Sequence, residues 1–334
     1  MKKKIALIGG CGFIGHNLAL KLKSLNYDVS IVDSLSINNL YSTSDTEIKN
    51  KKLYISILKN RIDIIKRHNI ELIVQDARDY NAMSKIIFNI NPDIIVHLAA
   101  VSHANKSNKD PHSTFDHSLR TLENTLDIAR NNKTHVIYTS SSMVYGNFKT
   151  DKVDEETECK PIGIYGSLKL SGELLVKAYN QVFNLPYTIV RPSALYGERC
   201  VSRRVGQIFI ENSLTTKKIT INGSGEEKLD FTYIEDLING IILCCENKNA
   251  LNQTFNLTFG QSKRILDLVD ILKEEFPDIS VEFFKKEALM PERGTLNVSK
   301  AKKLINYNPS NELKIGFKKY INWYKNFWAS INNK

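Results

Sequence analysis

Tyr165 and Lys169 stand four residues apart in Ile164-Tyr165-Gly166-Ser167-Leu168-Lys169. On a helix this spacing puts a phenol and an ammonium on one face. A free phenol ionises near 10, so it acts as a base at neutral pH only where cations favour the phenolate. A drop of roughly three units needs about 4 kcal/mol of differential stabilisation, within reach of two nearby positive charges in a partly dry site. The spacing alone is not diagnostic. Tyr145 and Lys149 share it, but they follow an apolar run in Val144-Tyr145-Gly146, a turn setting.

Two further runs offer chemistry. Thr139-Ser140-Ser141-Ser142 closes a β-branched stretch and presents hydroxyls to a reacting oxygen, although by composition it is equally a polar turn. Gly9-Gly10-Cys11-Gly12-Phe13-Ile14-Gly15 follows the first apolar run and opens an amphipathic one. There Gly9 permits a tight turn, Gly12 lets backbone approach a pyrophosphate, and Gly15 allows close helix–strand packing. The helix N-terminus adds free N–H groups and a positive dipole. Asp33 ends the second apolar run. A carboxylate there accepts hydrogen bonds from ribose hydroxyls and repels a 2′-phosphate, which favours NAD over NADP.

The scaffold holding these groups is legible as alternation. Short β-branched runs at 4–8, 28–32, 71–75, 93–97, 135–139 and 187–190 predict buried strands. Helical periodicity intervenes at 13–25, 79–90, 113–131 and 164–183. The expected fold is α/β: a Rossmann-like doubly wound parallel sheet with a smaller α/β substrate-binding domain. Residues 1–190 are assigned to the dinucleotide domain, with parts of about 229–258 returning to it, and 191–334 mainly to the substrate domain. The connection 36–69 is long, and Leu53, Ile57, Leu58, Ile62 and Ile65 mark a helical insertion within it.

Further segments recur in a telling order: Asp76-Ala77-Arg78-Asp79, His97-Leu98-Ala99-Ala100, Val144-Tyr145-Gly146, Arg191-Pro192, Tyr196-Gly197 and Asp230-Phe231-Thr232-Tyr233. With the glycine turn, Asp33, Ser141, Tyr165 and Lys169, the chain resembles the extended short-chain dehydrogenase/reductase family from residue 5 to about 310. Within it, the match is similar to the nucleotide-sugar epimerase/dehydratase branch, which includes the UDP-galactose 4-epimerases. The resemblance implies NAD held by Gly9, Gly12, Phe13, Ile14, Gly15, Asp33, Tyr165 and Lys169. By the same analogy Asp76 and Ala77 flank the adenine, and Leu98, Ala99 and Ala100 line the cofactor. It also implies Tyr165 as the base for a sugar hydroxyl, Lys169 as the group that holds the nicotinamide ribose, and Ser141 as a partner to that hydroxyl. The sugar passes through a 4-keto stage and is reduced on its other face.

Departures from the pattern shape the substrate expectation. Family 4,6-dehydratases carry Asp-Glu after the catalytic Ser/Thr, where this chain has Ser142 and Met143. Epimerisation at C4 is thereby favoured over dehydration, although 101–107 (Ser102 and His103 included) is more similar to dehydratases. Ala194 and Leu229 replace the usual diphosphate-binding Asn and Arg, and Ser118 replaces an Asn near the nicotinamide. Arg199, Arg203, Arg204 and Arg293 are the candidates to take over the diphosphate, since guanidinium forks suit phosphate. Ser102, His103, Ser141 and Ser142 complete the expected substrate site. His16 and His97 read as structural. A dehydratase, a dehydrogenase/reductase and a non-catalytic NAD-binding protein remain as alternatives.

Composition narrows the classes. At 334 residues, 42% hydrophobic and 25% charged, the chain suits a globular protein of two packed units. The net charge of +10 comes from dispersed lysines without aromatic interleaving, which suits a solvated surface that mildly attracts anionic substrates and not a nucleic-acid site; the partner that the resemblance implies is a nucleotide-diphosphate sugar. No apolar run approaches the roughly 20 residues of a membrane helix. The five cysteines form no CxxC pair and no metal spacing, so reduced thiols, no metal and a cytoplasmic location are expected. The family resemblance further implies a homodimer through the helices near 113–131 and 164–183.

Overall fold

The structure, a computed structural model, describes residues 2–37, 39–44, 49–102, 104–285 and 290–332. Its central sheet comprises β1 (Lys4–Ile8), β2 (Asp28–Asp33), β3 (Glu71–Val74), β4 (Ile94–His97), β5 (His135–Thr139), β6 (Tyr187–Arg191) and β7 (Gln253–Asn256). The spatial order is β7-β6-β5-β4-β1-β2-β3, and every pairing is parallel. The six strands expected from apolar runs are present within a residue at each end. Strand order reverses at β1 and β4, so a crevice opens beyond their carboxyl ends, where such sheets bind ligands.

Nine longer helices are described: α1 (Phe13–Ser24), α2 (Lys51–Arg67), α3 (Tyr80–Ile90), α4 (Thr121–Arg130), α5 (Gly163–Phe183), α6 (Val205–Thr215), α7 (Ile234–Glu246), α8 (Ile265–Glu275) and α9 (Leu313–Asn332). The helical insertion is α2, whose buried face carries Leu53, Tyr54, Ile57, Leu58, Arg61 and Ile65. One helix differs from expectation. The segment 113–131 is interrupted by a π-helical turn over Asp116–Arg120 between the short helix Pro111–Phe115 and α4. Such turns insert an extra residue and mark functional sites more often than chance. Residues beyond 191 supply α6, α8, α9 and the parallel strand pair Lys218–Asn222 with Ser280–Phe284.

Helix α5 lies unusually close to the sheet. Its inward residues are Gly166, Lys169, Gly172, Glu173 and Val176, the i, i+3, i+4, i+7 stripe of a core-facing helix. A Cβ at Gly172 would sit 2.3 Å from the Tyr138 hydroxyl on β5. A larger residue there would force the Tyr138 side chain or the helix to shift. That approach lets two charged side chains, Lys169 and Glu173, reach beneath the sheet's carboxyl edge.

Glu173 meets Arg191 of β6 in a buried pair. Arg191 Nη2 lies 2.6 Å from Glu173 Oε2, with side chains only 3% and 1% exposed, and Arg191 Nε donates to Oε1 at 2.9 Å. Ser140 Oγ donates to the same carboxylate at 2.5 Å. Arg191 Nη1 donates to the Tyr145 hydroxyl at 2.8 Å, which in turn donates to Asn256 Oδ1 on β7 at 2.8 Å. Tyr145 therefore serves this network from the turn Ser142–Tyr145, apart from any proton-transfer role. Removing one partner of such a pair strands a buried charge. Glu173→Ala should accordingly lower the unfolding free energy by about 3–5 kcal/mol in urea denaturation; a loss below about 1 kcal/mol would show that the pair does not hold α5 in place.

Candidate active site

The glycine turn builds the first half of the site. Gly9 has φ 82°, and a Cβ there would come within 2.7 Å of the Ala99 backbone nitrogen after β4. Gly15 abuts Gly10, where a Cβ would meet backbone at 2.5 Å. Among the described residues no side chain caps α1 at Gly12, which leaves first-turn N–H groups and the dipole directed at the cleft. Phe13, Ile14, Asp33, Asp76, Ala77, Leu98, Ala99 and Ala100 line this cleft with the three glycines. A backbone cradle that excludes any Cβ, facing a bare helix N-terminus, fits a dinucleotide pyrophosphate.

Asp33 is more constrained than the sequence implies. Its Oδ2 accepts from the Cys11 N–H at 2.8 Å and its Oδ1 from the Leu35 N–H at 2.7 Å. Burial raises its pKa, opposed by those two N–H bonds and by Arg61. A carboxylate oxygen has two acceptor sites, so each still has capacity for a ribose hydroxyl. Asp76 is pinned by Arg78, whose Nη2 lies 2.7 Å from Oδ2. That contact holds the Asp76 carboxyl below its usual range.

The second half is a cavity of about 960 Å³ beyond the carboxyl ends of β5 and β6, lined by Ser141, Ser142, Tyr165, Lys169, Arg203, Arg204 and Arg293, among others. Ile14, Leu98, Ala100, Ser102, Leu195 and Arg204 border both spaces, so the glycine cleft adjoins this cavity. Ser141 caps the turn Ser142–Tyr145 by accepting from the Met143 N–H at 3.2 Å, and its hydroxyl proton remains available to a ligand. The start of α5 is fixed from afar, as the Ile164 N–H donates to Asn108 Oδ1 at 3.1 Å.

Lys169 is buried, donates from Nζ to the Thr139 carbonyl at 2.7 Å and rests 5.1 Å from the Tyr138 ring centre. Burial pushes its ammonium down to about 8, with Glu173 pulling the other way. His97 donates or accepts at Thr125 Oγ1 through Nδ1 at 3.0 Å and stays neutral, pushed down to about 3 by burial and by Lys169. His16 is likewise buried and bonded to the Gly12 carbonyl at 2.9 Å. Both histidines occupy structural positions.

The arginines divide. Arg293 Nη1 lies 3.2 Å from Ser142 Oγ and 3.2 Å from Met143 Sδ. Burial and neighbouring Arg204 bring it down to about 10, still cationic at neutral pH. Two guanidiniums facing one cavity make it a seat for an anion. Arg199 departs from expectation: its Nε donates to Asn60 Oδ1 at 3.1 Å and it lies outside the cavity lining. The cause is its backbone, which at φ 63° turns the side chain toward α2. His103 lies outside the described residues. Ala194, in the position where Asn is usual, has φ 38°, a conformation Asn tolerates better than Ala. Sequence spacing gave no signal for Asn108, Glu173 or Arg191, whose partners are 18 to 56 positions away.

Because the lysine must carry charge to favour a phenolate, its removal should act on the pH profile. Lys169→Met should shift the rise of kcat/KM with pH to higher values by at least about one unit, since the site then loses a buried cation on the helix that carries the base. An unmoved profile would rule out that electrostatic role.

Comparison with known proteins places this geometry. The sequence profile of the NAD dependent epimerase/dehydratase family matches residues 5–258. A putative UDP-glucose 4-epimerase of Methanocaldococcus jannaschii is 30% identical, over 96% of this chain and 98% of that protein. An uncharacterised UDP-glucose epimerase, YtcB of Bacillus subtilis, is 29% identical over 94% and 95%. Among solved structures, the UDP-glucuronic acid 4-epimerase of Bacillus cereus, in complex with UDP-glucuronic acid and NAD, superposes with a TM-score of 0.87 at 27% identity, covering 97% of this chain and 99% of that one. With the profile spanning the glycine turn, the Tyr165–Lys169 helix and the returning strand, the chain belongs to the NAD-dependent epimerase/dehydratase family.

Proposed function

We propose that this protein is an NAD-dependent nucleotide-sugar epimerase that inverts C4 of a UDP-hexose through a transient 4-keto sugar. The observation that carries the reading is the adjacency of the two spaces: the cavity holding Ser141, Tyr165 and Lys169 shares wall residues with the glycine cleft. NAD bound there supplies a hydride acceptor that gives the hydride back, so the net reaction needs no external redox partner.

The chain's own residues do the rest. Tyr165 takes the proton of the C4 hydroxyl and later returns it. Ser141 Oγ donates to the same oxygen and holds it at hydrogen-bonding distance from the phenol. Lys169, anchored on the Thr139 carbonyl, keeps its positive charge under the base. Arg204 and Arg293 hold the substrate's anionic groups, with Arg203 at the cavity's edge and Ser102 and Ser142 as further polar contacts. Fixing the diphosphate while leaving the sugar unclamped suits a cavity of about 960 Å³, in which the keto sugar turns over. Ser142 and Met143 are both engaged by Arg293. Neither side chain supplies the acid and base that elimination of water needs, so dehydration is disfavoured.

Free cysteines throughout support a reducing compartment, and we place the reaction in the cytoplasm. Among the described residues no helix is long and apolar enough to cross a membrane. Leu174 and Val182 on α5 are 61% and 68% exposed. This outward apolar face supports a homodimer built on α5 and the helix before β5.

Tyr165→Phe should retain NAD and lose at least about a hundredfold in turnover, the scale of acid–base catalysis; near-normal activity removes the phenol from the mechanism. Purified enzyme should interconvert UDP-hexose C4 epimers, followed by NMR, without added cofactor. Release of water, or stoichiometric consumption of NAD(P)H, would overturn the epimerase reading. Light scattering at micromolar concentration should give twice the chain mass, and a monomer would sink the dimer.

A further inference from the structure

The loop between the second half of the site and α6 is held in an unfavourable backbone shape. Arg199 and Arg203 both have left-handed backbones, at φ 63° and 51°. For residues with a Cβ, such a conformation is unfavourable and persists only where surrounding structure over-determines it. Arg203 and Arg204, at the end of this loop, line the substrate cavity.

Both strained residues are fastened to α2, the insertion. Arg61 of α2 is 1% exposed and directs Nε, at 3.0 Å, and Nη2 to the Arg199 carbonyl. Its Nη1 reaches the Cys11 carbonyl in the glycine turn at 3.4 Å. Asn60, one residue earlier, takes the Arg199 side chain. At the other end, the Arg203 N–H donates to Gln207 Oε1 at 2.9 Å, and Gln207 Nε2 donates to Glu211 Oε1 at 2.8 Å. Glu211 is 4% exposed. Its other partners are Asn50 Nδ2 at 2.9 Å, the Tyr54 hydroxyl at 2.7 Å and the Tyr324 hydroxyl at 2.6 Å. One carboxylate thus collects four donors from the foot of α2, from α6 and from α9.

We propose that α2 is a strut that sets the conformation of the loop carrying Arg203 and Arg204, with Arg61 and Glu211 as positioning residues for nucleotide-sugar binding. Neither side chain lines the substrate cavity. They act through the loop backbone: Arg61 fixes the carbonyl of one left-handed residue, and Glu211, through Gln207, fixes the N–H of the other. Glu211→Gln keeps the volume but replaces two acceptor sites with N–H donors that oppose the existing ones. The loop then relaxes toward ordinary backbone, and the arginines lose their aim at the diphosphate.

The inference rests on the nucleotide-sugar reading, and its test separates the two. UDP is titrated by calorimetry into the full-length, NAD-containing protein, the Glu211→Gln variant and the milder Tyr54→Phe variant. KM and kcat for a UDP-hexose, NAD content and thermal midpoint are measured alongside. The strut predicts that Glu211→Gln weakens UDP at least about tenfold and raises KM similarly, with kcat within about threefold and NAD content unchanged. Tyr54→Phe should weaken UDP about threefold in the same pattern, and it carries the test alone if Glu211→Gln does not fold. UDP affinity equal to that of the unaltered protein, whatever the thermal midpoint, would reduce these residues to structural support and overturn the proposal. Failure of the unaltered protein to bind UDP at all would instead sink the nucleotide-sugar reading on which it rests.

Discussion

The ion pair between Glu173 and Arg191 is the constraint on which the site's geometry depends. Burying two charges is costly unless each is fully hydrogen-bonded. Here the carboxylate receives Arg191 and Ser140, while the guanidinium also reaches Tyr145. One unit thereby locks α5 to the ends of β5, β6 and, through Asn256, β7. Lys169 and Tyr165 lie about one and two turns earlier on the same helix, so their aim into the cavity inherits the precision of that lock. Gly172 makes it possible by letting the helix approach the sheet.

Around this fixed centre the protein arranges charge in graded dryness. Lys169 is buried deeply enough to fall to about 8 yet retains a carbonyl partner. Arg293 and Arg204 line one cavity and repel one another, a repulsion that the proposed substrate's anionic groups would relieve. Mobile sugar and immobile nucleotide make opposite demands on the same cavity. In the proposed reading the guanidiniums of Arg204 and Arg293 serve the immobile part, because binding energy is collected on groups that do not react.

The insertion α2 extends the same logic to the loop after β6. Its apolar stripe packs it into the core, while Arg61 and Asn60 meet Arg199 of the loop, and Tyr54, with Asn50 at the helix cap, meets Glu211 on α6. Those roles were invisible in the periodicity of Leu53, Ile57, Leu58, Ile62 and Ile65, which marks a helix and says nothing of what it braces. Arg199 illustrates the same limit. Its type suits phosphate, but a left-handed backbone turns it toward Asn60.

The sequence by itself determined the alternation of strands and helices, the glycine turn, and the local pairing of Tyr165 with Lys169. Each is a short-range property: strand burial shows as β-branched runs, close backbone approach demands glycine, and four-residue spacing is fixed by helix geometry. Only the tertiary structure decided which arginines face the cavity, what anchors Lys169, and how Asp33 divides its oxygens between Cys11 and Leu35. Those outcomes depend on contacts between residues tens of positions apart, made as helices settle on the sheet. Side-chain type announces what a residue is able to bind; the direction of its Cα–Cβ bond, set by the fold, determines what it meets.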